Sequence, residues 1–292
     1  MIGSCEFINA GGMTFETQVA GDGERLALCL HGFPETNLSW RHQLPMLSER
    51  GYTVWAPNLR GYGHSSRPRS VTAYRIPNLI GDVIALTDEA KRRGLRPSLL
   101  IGHDWGGAVA WLSVLTGAVA YDGFIPMNIP HMGLFRRRVF RPSQLRRSWY
   151  VLLFQFPWLA ERLLSRDDFK GLRSVFATTT QSSEPFPDDV LQAFVDNARG
   201  PWALQAMLAY YRAAPLDLFS LKLTSNLMTP TLLIWGLDDV ALGFEDLVPG
   251  TEALVQDLEI HPLPSVSHWV QQEAPLEVNL AIIDWLDRHP LL

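Results

Sequence analysis

The run Gly102-His103-Asp104-Trp105-Gly106-Gly107 follows the apolar, β-rich stretch Ser98–Ile101 and opens a helical pattern. Glycines there let the chain turn sharply at the end of a strand, so that Asp104 projects as a nucleophile would. An Asp ahead of a helix also reads, more simply, as an N-cap. Two further strings favour chemistry. His31-Gly32-Phe33-Pro34 follows the apolar run Leu26–Leu30, the place where a backbone N–H completes an oxyanion hole. Trp235-Gly236-Leu237-Asp238-Asp239 ends a strand in carboxylates, and Ser267-His268-Trp269 comes later, in a loop before the last helix. Nucleophile, acid, histidine is the chain order of one type of catalytic triad.

An aspartate at the elbow narrows the reaction. A serine attacking an sp³ carbon would form an ether, which water cannot then cleave at a carbonyl. A carboxylate attacking the same carbon forms an ester, and water can hydrolyse that ester at the enzyme's own carbonyl. Asp104 therefore points to alkyl transfer followed by hydrolysis, and away from esterase, lipase or peptidase chemistry. His268 would activate the water, with Asp238 or Asp239 fixing its tautomer.

These groups need a scaffold, and the sequence supplies the pattern of one. Glu6 to Val19, with Gly11 and Gly12 in the middle, reads as a β-hairpin. Apolar runs at Leu26–Leu30, Thr53–Ala56, Ser98–Ile101 and Gly123–Met127 alternate with helical stretches at Pro77–Arg92 and Gly106–Ala118. That rhythm predicts a mostly parallel sheet with helices on both faces. From His131 to about Leu227 strands give way to helical segments at Trp149–Ser165, Asp188–Asn197 and Trp202–Arg212. The α/β rhythm resumes with strands Thr231–Trp235 and Leu258–His261 and the helix Pro275–Arg288. The expected organisation is an α/β core at 1–130 and 228–292, with a helical cap inserted at 131–227.

The 292 residues, 47% hydrophobic and 19% charged, suit one large globular domain with an insert. A net charge of −5 gives no basic field for nucleic acid. Two cysteines cannot staple a chain this long; Cys29 reads as a buried small hydrophobe and the protein as reduced and cytoplasmic. The N-terminal MIGSCEFINAGG has no signal-peptide pattern. The lipophilic window Tyr150–Leu164 is broken by Gln155 and Pro157 and is shorter than the roughly 20 residues of a membrane span. Arg136, Arg137, Arg138, Arg141, Arg146 and Arg147 fall in a stretch, 131–150, with no acidic residue, which reads as a solvated cap surface. The histidines form no HxH or HExxH pattern, so no metal is expected, and no cofactor.

Taken together, HGFPE (31–35), Arg-Gly-Tyr-Gly-His-Ser (60–65), GHDWGG (102–107), WGLDD (235–239) and SHWVQQEAP (267–275) resemble the α/β-hydrolase-fold epoxide hydrolases. The resemblance spans nearly the whole chain, although HDWGG alone is shared with haloalkane dehalogenases of the same fold. It implies Asp104 as nucleophile, His268 as base, Asp239 as its acid, and the backbone N–H groups of Phe33 and Trp105 as oxyanion hole. It also implies two cap acids, Tyr150 and Tyr211, which would grip an epoxide oxygen. Adjacent helical residues point about 100° apart, so only one of Tyr210 and Tyr211 can face a pocket. Phe33, Trp105, Tyr150 and Tyr211 would line an apolar pocket for a small lipophilic epoxide, with water as co-substrate. Ring opening makes an alkoxide, which needs a hydrogen-bonding acid; halide loss needs only N–H donors, for which the Trp105 indole is a candidate. A dehalogenase is thus the alternative, and a non-catalytic ligand-binding receptor the remote one. Nothing in the sequence selects a particular epoxide or fixes an oligomeric state.

Overall fold

The computed structural model describes residues 3–180, 186–224 and 226–290. Among these residues eight strands form one sheet: β1 (Ser4–Ala10), β2 (Met13–Ala20), β3 (Arg25–Leu30), β4 (Tyr52–Pro57), β5 (Arg96–His103), β6 (Gly123–Met127), β7 (Thr231–Gly236) and β8 (Leu258–Leu263). Their spatial order is β1-β2-β4-β3-β5-β6-β7-β8. The β1–β2 hairpin is antiparallel and joins β4 antiparallel; the strands from β4 to β8 in that order run parallel. The fold expectation holds: this is an α/β-hydrolase fold, a mostly parallel sheet with helices on both faces.

Side-chain alternation explains how the sheet carries two layers. Along β3, Leu26, Leu28 and Leu30 face one core while Ala27 and Cys29 face the other. On the Cys29 side pack α1 (Gln43–Glu49) and a C-terminal helix through Val278, Ile282 and Trp285. On the Leu28 side pack α2 (Ile76–Arg92) and α3 (Asp104–Leu115) through Leu79, Val83 and Trp111. Strands buried on both faces read as unbroken apolar runs, which is why the sequence shows them.

Between β6 and β7 lie α4 (Met132–Arg138), α5 (Pro142–Arg147), α6 (Trp149–Phe154), α7 (Leu159–Thr179), α8 (Asp188–Arg199) and α9 (Ala203–Ala213), and no strand among the described residues. After β7 come α10 (Phe244–Leu247), α11 (Val270–Glu273) and α12 (Pro275–Arg288), so a short helix follows His268 ahead of the last one. The predicted helix Trp149–Ser165 is two helices. Pro157 has no N–H to continue α6, and it disfavours a helical Phe156 before it. Residues 181–185 and 225 of the expected cap lie outside the described residues.

The six arginines of residues 131–150 are not simply a solvated face. Arg136 donates to the Leu221 carbonyl at 2.8 Å, Arg138 to Pro249 at 2.6 Å, Arg141 to Asp246 at 3.2 Å and Arg147 to Asp239 at 2.7 Å. Three of these carbonyls belong to the segment after β7, so the guanidinium groups tie inserted helices onto the core. Carbonyls are neutral partners and leave the positive charge in place; Arg141 also stands 3.8 Å from the Asp246 carboxylate. Sequence charge counting does not see these contacts.

The elbow works only because two backbones meet. A Cβ on Gly106 would lie 2.2 Å from the Leu30 carbonyl oxygen and 2.5 Å from that of His31. Both obstacles are main chain and cannot swing aside. Gly106→Ala is therefore expected to destabilise the fold by about 2 kcal/mol or more. A lower urea midpoint with unchanged slope would register it; an unchanged midpoint would contradict the tight β3–α3 approach.

Candidate active site

Asp104, Asp239 and His268 stand at the C-terminal edge of the parallel strands, where ligands bind in open α/β sheets. Asp104 follows β5 directly with φ 47°, a left-handed conformation that turns its side chain out of the sheet. It does not cap α3. Its Oδ1 instead accepts the Phe33 N–H at 2.8 Å, across from the end of β3. Gly32 permits that approach, because a Cβ there would stand 2.5 Å from the Asp104 Cβ. The Trp105 N–H lies in the first turn of α3, where N–H groups lack intrahelical acceptors.

His268 sits between two carboxylates. Its Nδ1 donates to Asp239 Oδ2 at 2.7 Å, and its Nε2 faces Asp104 Oδ2 at 3.6 Å. Burial alone would lower the imidazole pKa, but the adjoining Asp239 and Asp104 charges hold it well above the usual histidine range. Burial would likewise raise both carboxyls, and the positive His268 keeps each below its ordinary value. Of the two adjacent aspartates, Asp239 is the one that meets the histidine: it is buried, whereas Asp238 is exposed. Its oxygens are fully occupied, Oδ1 by the N–H groups of Ala241 (2.7 Å) and Leu242 (2.9 Å), Oδ2 by His268 and by Asn128 Nδ2 at 2.7 Å.

Asn128 is not anticipated from the sequence. It follows β6 with φ 44° and also accepts the Gly236 N–H at 3.0 Å, joining β6 to β7 behind the acid. Glu35 and His103 are equally missed, although both stand inside the motifs HGFPE and GHDWGG. His103 Nε2 donates to the His268 carbonyl at 2.8 Å and its Nδ1 meets Glu35 Oε2 at 2.9 Å. Glu35 in turn accepts from Gln271 at 3.2 Å and from Gln272. Both members of this pair are fully buried, so the loop carrying His268 is held from beneath by a buried hydrogen-bonded network. His31 plays a separate part. It accepts the Leu59 N–H at 3.1 Å, and burial lowers its pKa to about 4, keeping it neutral.

A cavity of about 680 Å³ opens above Asp104 and His268. Phe33, Tyr150, Phe154 and Tyr211 form much of its wall, each ring edge-on to its neighbours at centroid separations of 5.0–6.2 Å. The residue after Tyr211 has a structural reason. Arg212 donates to the Phe154 carbonyl at the end of α6 (2.8 Å) and pairs with Glu161 of α7 (2.7 Å), locking α9 to both. Tyr210 turns away, its hydroxyl donating to the Arg60 carbonyl at 2.8 Å. Burial and the nearby Asp104 charge push both Tyr150 and Tyr211 upward, so each stays protonated at neutral pH.

One expected wall residue stands elsewhere. Trp105 is not among the residues lining the cavity; it lies behind Tyr211 and Tyr210, its ring edge-on at 5.0 and 5.5 Å.

Residues 27–281 match the model of the alpha/beta hydrolase family. The chain is 36% identical to epoxide hydrolase 3 of Xenopus tropicalis over 94% of its length and 75% of that protein's. It is 34% identical to the AB hydrolase superfamily protein YfhM of Bacillus subtilis, over 97% of each chain. The crystal structure of a Bacillus megaterium epoxide hydrolase in complex with an inhibitor superposes with a TM-score of 0.87 at 29% identity, covering 97% of this chain and 100% of that one. So matched, and carrying an elbow aspartate that faces a histidine–aspartate pair beneath an aromatic cavity, the chain belongs to the epoxide hydrolases of the α/β-hydrolase family.

Proposed function

We propose that this enzyme opens a small lipophilic epoxide to a vicinal diol through an ester on Asp104, with residues 131–227 as a cap over the site. The observation that carries the reading is the orientation of Asp104. One oxygen, Oδ1, is pinned by the Phe33 N–H, while the other, Oδ2, faces His268 Nε2 at 3.6 Å and is left free to attack.

In the first step Oδ2 bonds a ring carbon and the carbon–oxygen bond of the epoxide breaks. Tyr150 and Tyr211 hydrogen-bond the departing oxygen, an alkoxide that no unassisted N–H would sufficiently stabilise. The imidazolium proton balances that charge: it passes to the alkoxide side through the tyrosines or solvent, leaving a neutral hydroxyalkyl ester and a neutral His268. Esterification removes one of the two carboxylates that raised His268, so the histidine becomes a base at the stage that needs one.

In the second step water attacks Asp104 Cγ and gives a proton to His268 Nε2. Negative charge gathers on Oδ1, where the Phe33 N–H already waits and the Trp105 N–H would join it. The Cγ–Oδ2 bond breaks, the diol leaves with a proton, and the acid returns its own proton to restore the Asp104–His268 ion pair. Asp239 never changes charge; four donors fix it against the imidazole.

Blocking the water step should trap the ester. His268→Gln exposed to a panel of epoxides and haloalkanes is expected to gain the mass of a whole epoxide on Asp104. A gain equal to a haloalkane minus HX would make the enzyme a dehalogenase, and no adduct from a folded variant would defeat the ester reading.

The tyrosines have their own test. Tyr150→Phe and Tyr211→Phe together should lower kcat/KM for epoxides by about 100-fold or more, roughly 2.7 kcal/mol of lost oxyanion-type stabilisation. Each single variant should retain part of the rate. Undiminished epoxide opening in the double variant would demote both residues to packing.

A further inference from the structure

Large apolar side chains are left in solvent on one stretch of the insert. Trp149 and Leu152 of α6, Phe156 and Trp158 of the break, and Leu159 and Leu163 of α7 are each between 44% and 86% exposed. They fall into stripes, 149/152 and 159/163, at the spacing that puts side chains on one helix face. Trp158 is the most exposed, at 86%, on a left-handed backbone with φ 69°. A bulky residue in that conformation, spent on holding an indole out in water, calls for a partner.

The charge around this patch says which partner. Between Asp122 and Glu161 the chain carries six arginines and no acidic residue, in a protein whose net charge is −5. Four of the six donate to backbone carbonyls, which are neutral, and of these Arg141 also stands 3.8 Å from a carboxylate, that of Asp246. Arg137 is exposed. A symmetric contact with a second copy would lay this cationic surface against itself, and like charges oppose it. Exposed Trp, Phe and Leu in a stretch of chain with an excess of arginines match the anionic headgroup region of a bilayer instead. The patch also adjoins the reaction chamber: Trp149 and Leu163 are both exposed and both line the cavity.

We propose that the α4–α7 face docks reversibly on an anionic lipid surface, with the cavity mouth turned toward the lipid. The attachment is peripheral, since no helix of the described residues is long and apolar enough to cross a membrane. Leu152, Phe156 and Trp158 enter the headgroup–acyl boundary and the arginines meet lipid phosphates or carboxylates. The proposal stands on the surface alone and holds whichever reaction proceeds beneath it. A lipophilic substrate dissolved in the bilayer would then reach the cavity without crossing water.

Flotation of the full chain with vesicles tests this. Vesicles of phosphatidylcholine with about one-third phosphatidylglycerol should bind the protein at least ten-fold better than phosphatidylcholine alone at low salt, and lose it at high salt. Arg137→Gln should cut the partition coefficient about five-fold, and Leu152→Ser with Trp158→Ser about ten-fold or more. None of these side chains lines the cavity, so turnover of a water-soluble epoxide should stay at the parent level and certify folding. Equal binding of parent and variants, or no preference for anionic vesicles, overturns the proposal. So does a lipid-free dimer, seen by sedimentation equilibrium, that the Leu152/Trp158 variant abolishes, because the face would then belong to a second copy.

Discussion

Two carboxylates and one imidazole are buried together at the strand ends, and the rest of the site follows from making that tolerable. Neither Asp104 nor Asp239 could stay ionised in a dry interior without a cation between them, and His268 supplies it. A buried ion pair of this kind is costly unless every remaining lone pair is answered. The answers come from separate strands: Phe33 after β3, Asn128 after β6, and the Ala241 and Leu242 N–H groups after β7. The parallel sheet is what brings those strand ends to one edge.

In the proposed mechanism that arrangement would also link the two chemical steps. A nucleophile wants a low pKa and a base wants to be neutral, and one imidazole would serve both because esterification would change its neighbour's charge midway. While Asp104 is ionised, His268 is held cationic and keeps the nucleophile ready. Once Asp104 is an ester, that restraint is gone. In the proposed scheme the aromatic wall would exclude water around the developing alkoxide, while the raised tyrosines would keep their protons to donate.

Much of this is readable from the chain because its signals are local. Strands buried on two faces show as apolar runs, and the elbow, acid and histidine appear in chain order. What is not readable depends on which strands are neighbours. Asn128 is an ordinary asparagine until β6 lies beside β7, and Glu35 finds His103 only because β3 lies beside β5. The inward turn of Trp105 behind Tyr211, and the carbonyl partners of the arginines, come from packing between insert and core that no periodicity encodes. Pro157 is visible as an interruption, yet its effect, splitting one helical pattern into two helices, needs the backbone.

An ester on Asp104 places the oxygen of water in the enzyme before it can reach product. A single turnover with enzyme in excess over epoxide in H₂¹⁸O discriminates directly. The label should appear in the peptide carrying Asp104 and be absent from the diol, whose new oxygen comes from the old Oδ2. Label in the diol with Asp104 unlabelled would mean that water attacks the epoxide itself, with the aspartate as a base, and the covalent route would be wrong.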